Sequence, residues 1–170
     1  MASSPQTDLY FIRHGIAAER GTYDNDDERP LTEKGRSRTK KVARRLKELN
    51  LEFDLVLTSP LIRASQTAEI LLKTGLAPIS ETRLELAPGG SLQAWLPWLA
   101  QWQTCHSESR LALIGHEPDL TMWAQQLVIG QISDRWHLKK AGIVGVQVLA
   151  AEEAIANSML FWFTPPRLML

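Results

Sequence analysis

Leu9-Tyr10-Phe11-Ile12-Arg13-His14-Gly15 is the stretch from which the architecture can be read. Four apolar residues, aromatic and β-branched among them, have the composition of a short buried strand. Polarity then switches at once, from Ile12 to Arg13 and His14. In an open α/β sheet, ligands gather at the C-terminal ends of the strands. Alone, this Arg-His pair is compatible with a merely structural strand end. Two further apolar runs that finish in the same way change that reading.

The second run, Phe53 to Thr58, meets Ser59-Pro60, which reads as a helix start with Ser59 as N-cap and Pro60 at the first helical position. That helix runs through Leu61, Ala64, Ala68, Leu71 and Leu72, and Arg63 falls in its first turn. The helix dipole disfavours a cation there, whereas an anion bound at the same place would be held by both dipole and guanidinium. The third run, Leu111 to Ile114, ends in Gly115-His116.

Helical patterns separate these strands. Thr32 caps a helix whose stripe is Val42, Ala43, Leu46 and Leu49, with Gly35 near its start marking a close approach of chain. Pro78 to Thr82 reads as a short strand. Ser91 caps a helix carrying Leu92, Trp95, Leu96, Leu99 and Trp102, which Pro97 is expected to bend or interrupt. Glu117-Pro118-Asp119 opens another, with Leu120, Trp123, Ala124, Leu127 and Val128. Gly142 to Leu149 and Met159 to Phe163 read as final strands, antiparallel neighbours across a short turn. Residues 1–7 and 165–170 are expected to be loose termini.

Alternating strands and helices predict one doubly wound α/β domain with a mostly parallel sheet. Parallel strands share one C-terminal edge, so Arg13, His14, Arg63 and His116 should emerge on the same side. That convergence is the central expectation.

Composition bounds the function. The 170 residues are 44% apolar and 22% charged, enough for a full core. Nineteen basic and nineteen acidic residues cancel, leaving no global field to draw nucleic acid or an anionic membrane. The basic helix after Thr32 (Arg36, Arg38, Lys40, Lys41, Arg44, Arg45, Lys47) lacks aromatic interleaving and reads as a solvated face. A lone cysteine, Cys105, excludes an internal disulfide framework and fits a reducing compartment. No apolar run approaches the roughly 18 residues of a membrane span, and residues 1–8 lack a signal-peptide core. The expectation is a soluble, cytoplasmic protein.

Two arginines and two histidines without a neighbouring cysteine suit a tetrahedral phosphoryl group. Guanidinium forks match its oxygens, His116 can donate to another, and a neutral imidazole at His14 is nucleophilic. Its other ring nitrogen would need an acceptor such as a backbone carbonyl. Transfer would give a phosphohistidine that water hydrolyses. A metal held by His14, His116 and a carboxylate such as Asp119 is disfavoured, since Arg13 and Arg63 would repel the cation. The expectation is no metal and no cofactor. His106 and His137 read as surface or structural residues, and the acidic run Asp24 to Glu28 as a solvated loop or part of a lid.

Arg13-His14-Gly15, Leu31-Thr32-Glu33-Lys34-Gly35, Ser59-Pro60-Leu61-Ile62-Arg63-Ala64-Ser65-Gln66-Thr67-Ala68 and Gly115-His116, in that order, resemble the histidine phosphatase (phosphoglycerate-mutase-like) superfamily. The small size, Gly115 to Leu120 and Lys140-Ala141-Gly142-Ile143-Val144 resemble its short SixA-type phosphohistidine phosphatases. The resemblance implies a three-layer α/β/α sandwich. It also implies His14 as phosphorylated nucleophile, Arg13 and Arg63 as phosphate clamps, and His116 as the fourth member of the pocket. As partner it implies a phosphorylated protein, such as a histidine phosphotransfer domain. A small phosphorylated metabolite is the alternative, and a non-catalytic phosphoprotein-binding module a more distant one.

Larger relatives carry an acid after the third strand, often beneath an inserted cap. Here Leu84-Glu85 leads directly into Leu86-Ala87-Pro88-Gly89-Gly90, leaving no room for a sizeable cap. Glu85 is the best candidate for the leaving-group acid, with Glu81, Glu19 and Asp119 as competitors. A weak acid and an uncapped site favour a phosphoramidate on a protein over an alkyl phosphate. Without a lid to protect a phosphoenzyme, hydrolysis is favoured over mutase chemistry.

Overall fold

The computed structural model describes residues 5–170. Ten elements build it: β1 (Gln6–Arg13), α1 (Glu33–Glu48), β2 (Leu55–Thr58), α2 (Ile62–Lys73), β3 (Ser80–Thr82), α3 (Leu92–Cys105), β4 (Glu108–Gly115), α4 (Asp119–Ile129), β5 (Ile143–Val148) and β6 (Met159–Thr164). The strands form one sheet in the order β3-β2-β4-β1-β5-β6. The first four are mutually parallel, while β5 runs antiparallel to both β1 and β6.

Side chains of a strand alternate between faces, and the core divides accordingly. Leu9, Phe11, Leu55, Leu57, Leu111 and Leu113 pack with Trp95 and Leu99 of α3 and Trp123 and Leu127 of α4. Tyr10, Ile12, Val56, Ala112 and Ile114 pack with Val42 and Leu46 of α1 and Ala64 and Leu71 of α2. Helices on both faces make the expected three-layer sandwich. Among the described residues, no helix is long and apolar enough to cross a membrane.

Several local expectations are corrected. Gln6 and Thr7 belong to β1, because they continue its register onto Glu108 and Ser109; residues 1–4 of the expected loose start lie outside the described residues. The C-terminal segment does not trail: a 3-10 turn over Pro166–Leu168 turns Met169 inward, where it is 6% exposed against the α1/α2 side of the core. Helix α3 passes unbroken through Pro97. Pro97 and Gln93, whose carbonyl the missing N–H leaves unpaired, both face solvent, so the loss is small. Thr32 does cap α1, its hydroxyl accepting from the Gly35 N–H. Ser59 does not cap α2, which starts three residues later, after an extended Leu61.

Candidate active site

Strand register builds the site. Arg13 pairs with Gly115 and Thr58 with Ile114, so His14, His116 and Ser59 each step off the sheet one residue beyond a paired position. Backbone bonds continue the ladder past those ends: His14 N–H donates to the Gly115 carbonyl (3.2 Å) and Ser59 N–H to Ile114 (2.9 Å). The two imidazoles lie with ring centroids 5.1 Å apart, both buried.

The tautomer of His14 is dictated by its neighbour. Nδ1 lies 2.7 Å from the Gly15 carbonyl oxygen, which can only accept, so Nδ1 carries the proton and Nε2 keeps a lone pair. Burial, then the positive charge of Lys140, then His116 push its pKa down to about 2. His14 is therefore a neutral imidazole at physiological pH. Gly15 is pinned from α2, its N–H donating to Thr67 Oγ1, which itself donates to the Arg63 carbonyl. Helix α1 presses on the next residue: a Cβ on Gly35 would sit 2.0 Å from the Ile16 carbonyl oxygen. Only glycine permits that approach.

His116 Nε2 is 2.8 Å from Ser59 Oγ, which also accepts the Leu61 N–H at 3.3 Å. The Ser59 hydroxyl, with one proton and two lone pairs, can meet both contacts with either tautomer of His116; where it donates to Nε2, the ring proton sits on Nδ1. Burial, then Arg63 and Lys140, lower the His116 pKa to about 3.

The arginines are braced by other groups. Arg13 Nη1 donates to the Leu138 carbonyl (2.7 Å), and its buried Nε has no protein partner. Arg63, 3% exposed, donates from Nη1 to the Asp26 carbonyl (2.8 Å) and from Nη2 to Asp26 Oδ2 (3.1 Å), leaving Nε without a partner. Asp26 stays exposed, as expected of the acidic run, while reaching Arg63 from it. Its carboxylate also takes the Arg29 guanidinium (2.6 Å), whose hydrogen bond and charge hold its pKa below the usual carboxylate range.

Two residues without a sequence signal for this site reach the histidines. Ser59, whose type and following proline suggest a helix cap, bonds His116. Lys140, known only as part of a motif, brings Nζ to 3.2 Å from His14 Nε2. It arrives because β5 runs antiparallel to β1 and so enters the sheet at the rim where β1 ends, Ile12 opposite Ile143. Burial, then Arg13 and Arg63, lower the Lys140 pKa to about 7.

Glu85 sits in a 3-10 turn over Leu84–Leu86 at the end of β4, where the Leu86 carbonyl approaches Gly115. Its carboxylate is taken by Arg83 Nη2 at 2.8 Å, and it shares no hydrogen bond with the two histidines, Arg13 or Arg63. Asp119, another competitor, accepts from the Gly89 N–H. Among the described residues, no three His, Cys, Asp or Glu side chains cluster closely enough to hold a metal ion. His106 stacks on Trp102 with centroids 3.7 Å apart, a structural role away from the site.

A neutral imidazole with a free lone pair, ringed by two guanidiniums, an ammonium and a second imidazole, can bind a compact multivalent anion and attack its centre. A family model, histidine phosphatase superfamily (branch 1), matches residues 9–94. An uncharacterised protein from Picosynechococcus sp. is 49% identical over 164 residues, covering 96% of this chain and 99% of its own. The structure of the protein histidine phosphatase SixA complexed with tungstate superposes with a TM-score of 0.83 at 25% identity, over 96% of this chain and 99% of that one. Phosphoglycerate mutase from Bacillus anthracis shares the fold, with a TM-score of 0.75 at 13% identity over 99% and 97% of the two chains. The chain belongs to the histidine phosphatase superfamily, branch 1, and has the phosphoglycerate-mutase-like fold of that superfamily.

Proposed function

We propose that the protein is a phosphohistidine phosphatase that works through a phosphoenzyme on His14. The observation that carries this reading is the unprotonated Nε2 of a neutral, buried His14 facing a ring of cations. A phosphoryl group enters with its oxygens toward Arg13, Arg63 and the His116 N–H. The His14 Nε2 lone pair forms the new N–P bond as the bond from phosphorus to the leaving group breaks, and water then displaces phosphate from His14. Positioning and neutralisation of the equatorial oxygens supply most of the acceleration.

The leaving group decides the substrate class. Glu85 is the acid candidate by chain position, yet its carboxylate is engaged by Arg83, a poor arrangement for delivering a proton. Alkoxides leave badly without a proton; the imidazole of a phosphohistidine needs far less help. The match in fold and length to SixA, a protein histidine phosphatase in complex with an oxyanion, supports a phosphorylated protein as partner, a histidine phosphotransfer domain being the simplest. Small phosphorylated metabolites are the competing substrate class.

The test is incubation of the wild type and His14→Ala with a labelled phosphohistidine protein and, separately, with sugar phosphates. Acid-labile label should appear transiently on the wild type and be absent from His14→Ala, with turnover fastest on the phosphohistidine protein. Wild-type activity in His14→Ala would remove the nucleophile; faster turnover of sugar phosphates would reassign the substrate. Glu85→Gln should leave turnover of both substrates close to wild type, and a selective loss on the alkyl phosphate would show that Glu85 does deliver the proton and discard the leaving-group argument.

A further inference from the structure

We propose that Lys140 is a mobile ligand for the transferring phosphoryl group, capping the His14 nucleophile while the pocket is empty and turning onto a phosphoryl oxygen once substrate enters. The inference rests on the phosphoenzyme reading above and adds a residue to it. With Nδ1–H committed to the Gly15 carbonyl, Nε2 has no hydrogen to give, so Lys140 is the donor in the 3.2 Å contact. That separation matters. Reacting atoms in a near-attack arrangement stand about 3–3.5 Å apart, so Nζ holds the place that phosphorus must take. Lys140 has to move, and the nearest new acceptor is an oxygen of the group that displaces it.

The surroundings fit a cation held in reserve. Its backbone is fixed on both sides: Arg13 donates to the Leu138 carbonyl, Ala141 N–H to the Arg13 carbonyl (3.0 Å), and Gly142 N–H to Lys139 (2.7 Å). Ala141 holds a left-handed φ of 60°, a conformation non-glycine residues adopt only when their surroundings impose it. The freedom to swing therefore resides in the four-carbon side chain. The groups that bear on its charge are Arg13 at the end of β1, Arg20 and Arg29 in the β1–α1 connection, Arg63 on α2, and the two neutral imidazoles, His14 and His116. The acids around this set face the arginines and His116: Asp26 acts on Arg63 and His116, and Glu117 on Arg13. Burial and this crowd of arginines leave Lys140 partly neutral near pH 7, and an incoming phosphate dianion draws a proton from solvent onto it.

Tungstate affinity and the pH dependence of kcat/KM on p-nitrophenyl phosphate, in wild type, Lys140→Met, Lys140→Arg and Lys139→Met, form the test. Lys140→Met should weaken tungstate binding 10- to 100-fold, the size of a lost charge-assisted bond. Lys140→Arg should retain binding within about threefold. Wild-type kcat/KM should fall above pH 7, the substrate's own ionisation being common to all variants. That alkaline limb should vanish in Lys140→Arg and persist in Lys139→Met, a lysine one position away that faces solvent. Melting temperature checks folding, and Lys140→Met should melt no lower than wild type. Tungstate binding within twofold of wild type in Lys140→Met, or an alkaline limb unchanged in Lys140→Arg, would overturn the role. Label on His14 forming at the wild-type rate in Lys140→Met would sink only the Lys140 proposal, whereas no label on wild-type His14 would sink the phosphoenzyme reading itself.

Discussion

Acidification from pH 7 to pH 5 should strip roughly 4 kcal/mol from the folding stability of the ligand-free protein through His14 and His116 alone. Folding lowers the pKa of His14 to about 2 and of His116 to about 3, chiefly by burial. An unfolded imidazole titrates near ~6.5. Between those values the unfolded chain holds protons that the native state refuses, so stability is intact above the unfolded pKa and is lost as pH falls below it. At about 1.4 kcal/mol per pH unit, each imidazole costs about 2 kcal/mol by pH 5, against a typical total of about 5–15 kcal/mol. Urea denaturation in phosphate-free buffer reads this as a midpoint lower by about 2 M at pH 5, for an m-value of about 2 kcal/mol/M. Competing groups can be separated. Asp26, Glu52 and Glu69, held low by bonds from Arg29, Lys47 and Lys73, titrate below this window. Burial raises Glu117, which opposes the slope, so Glu117→Gln belongs in both backgrounds. Lys140 acts mainly from pH 7 upward. A His14→Gln/His116→Gln double variant should lose the slope. Equal slopes in the two proteins would refute the claim that these rings are folded as neutral bases.

Ser59→Ala should lower kcat/KM about tenfold while changing stability by only about 1 kcal/mol, because it removes the bond that orients His116 and one modest backbone contact; steady-state kinetics beside thermal melts would show it, and an unaffected kcat/KM would mean His116 needs no such orientation. Gly35→Ala should destabilise by about 3 kcal/mol or more and impair turnover as well, since its methyl would collide with the Ile16 backbone next to the His14 loop. A fully stable Gly35→Ala would show that α1 does not brace the loop.

Much of this was legible in the sequence because the informative residues sit where polarity breaks sharply. Ile12 to Arg13 and Ile114 to His116 mark strand ends, and the parallel order of β1, β2 and β4 follows from the helices between them. That logic brought His14, Arg13, Arg63 and His116 to one rim. Lys140 escaped it because its loop precedes a strand: it reaches the same rim only if β5 runs backwards, which no local pattern announces. Ser59 escaped for another reason. Its residue type and the following proline fit a helix cap, but its hydroxyl is turned to His116 and the chain stays extended through Leu61 before α2 begins. Asp26 looked like one acid among several, and its pairing with Arg63 depends on a contact 37 residues away. Met169 belongs to a short turn with no periodicity to betray its inward face.

The doubled backbone tie between Ala141 N–H and the carbonyls of Arg13 and His14, with Arg13 N–H returned to Gly142, has a consequence for how such an enzyme can diversify. The His14 ring hangs from a main chain whose other half lies 127 to 129 positions downstream. Substitutions there can shift the imidazole through the amide scaffold, leaving Arg13, Arg63 and His116 unaltered.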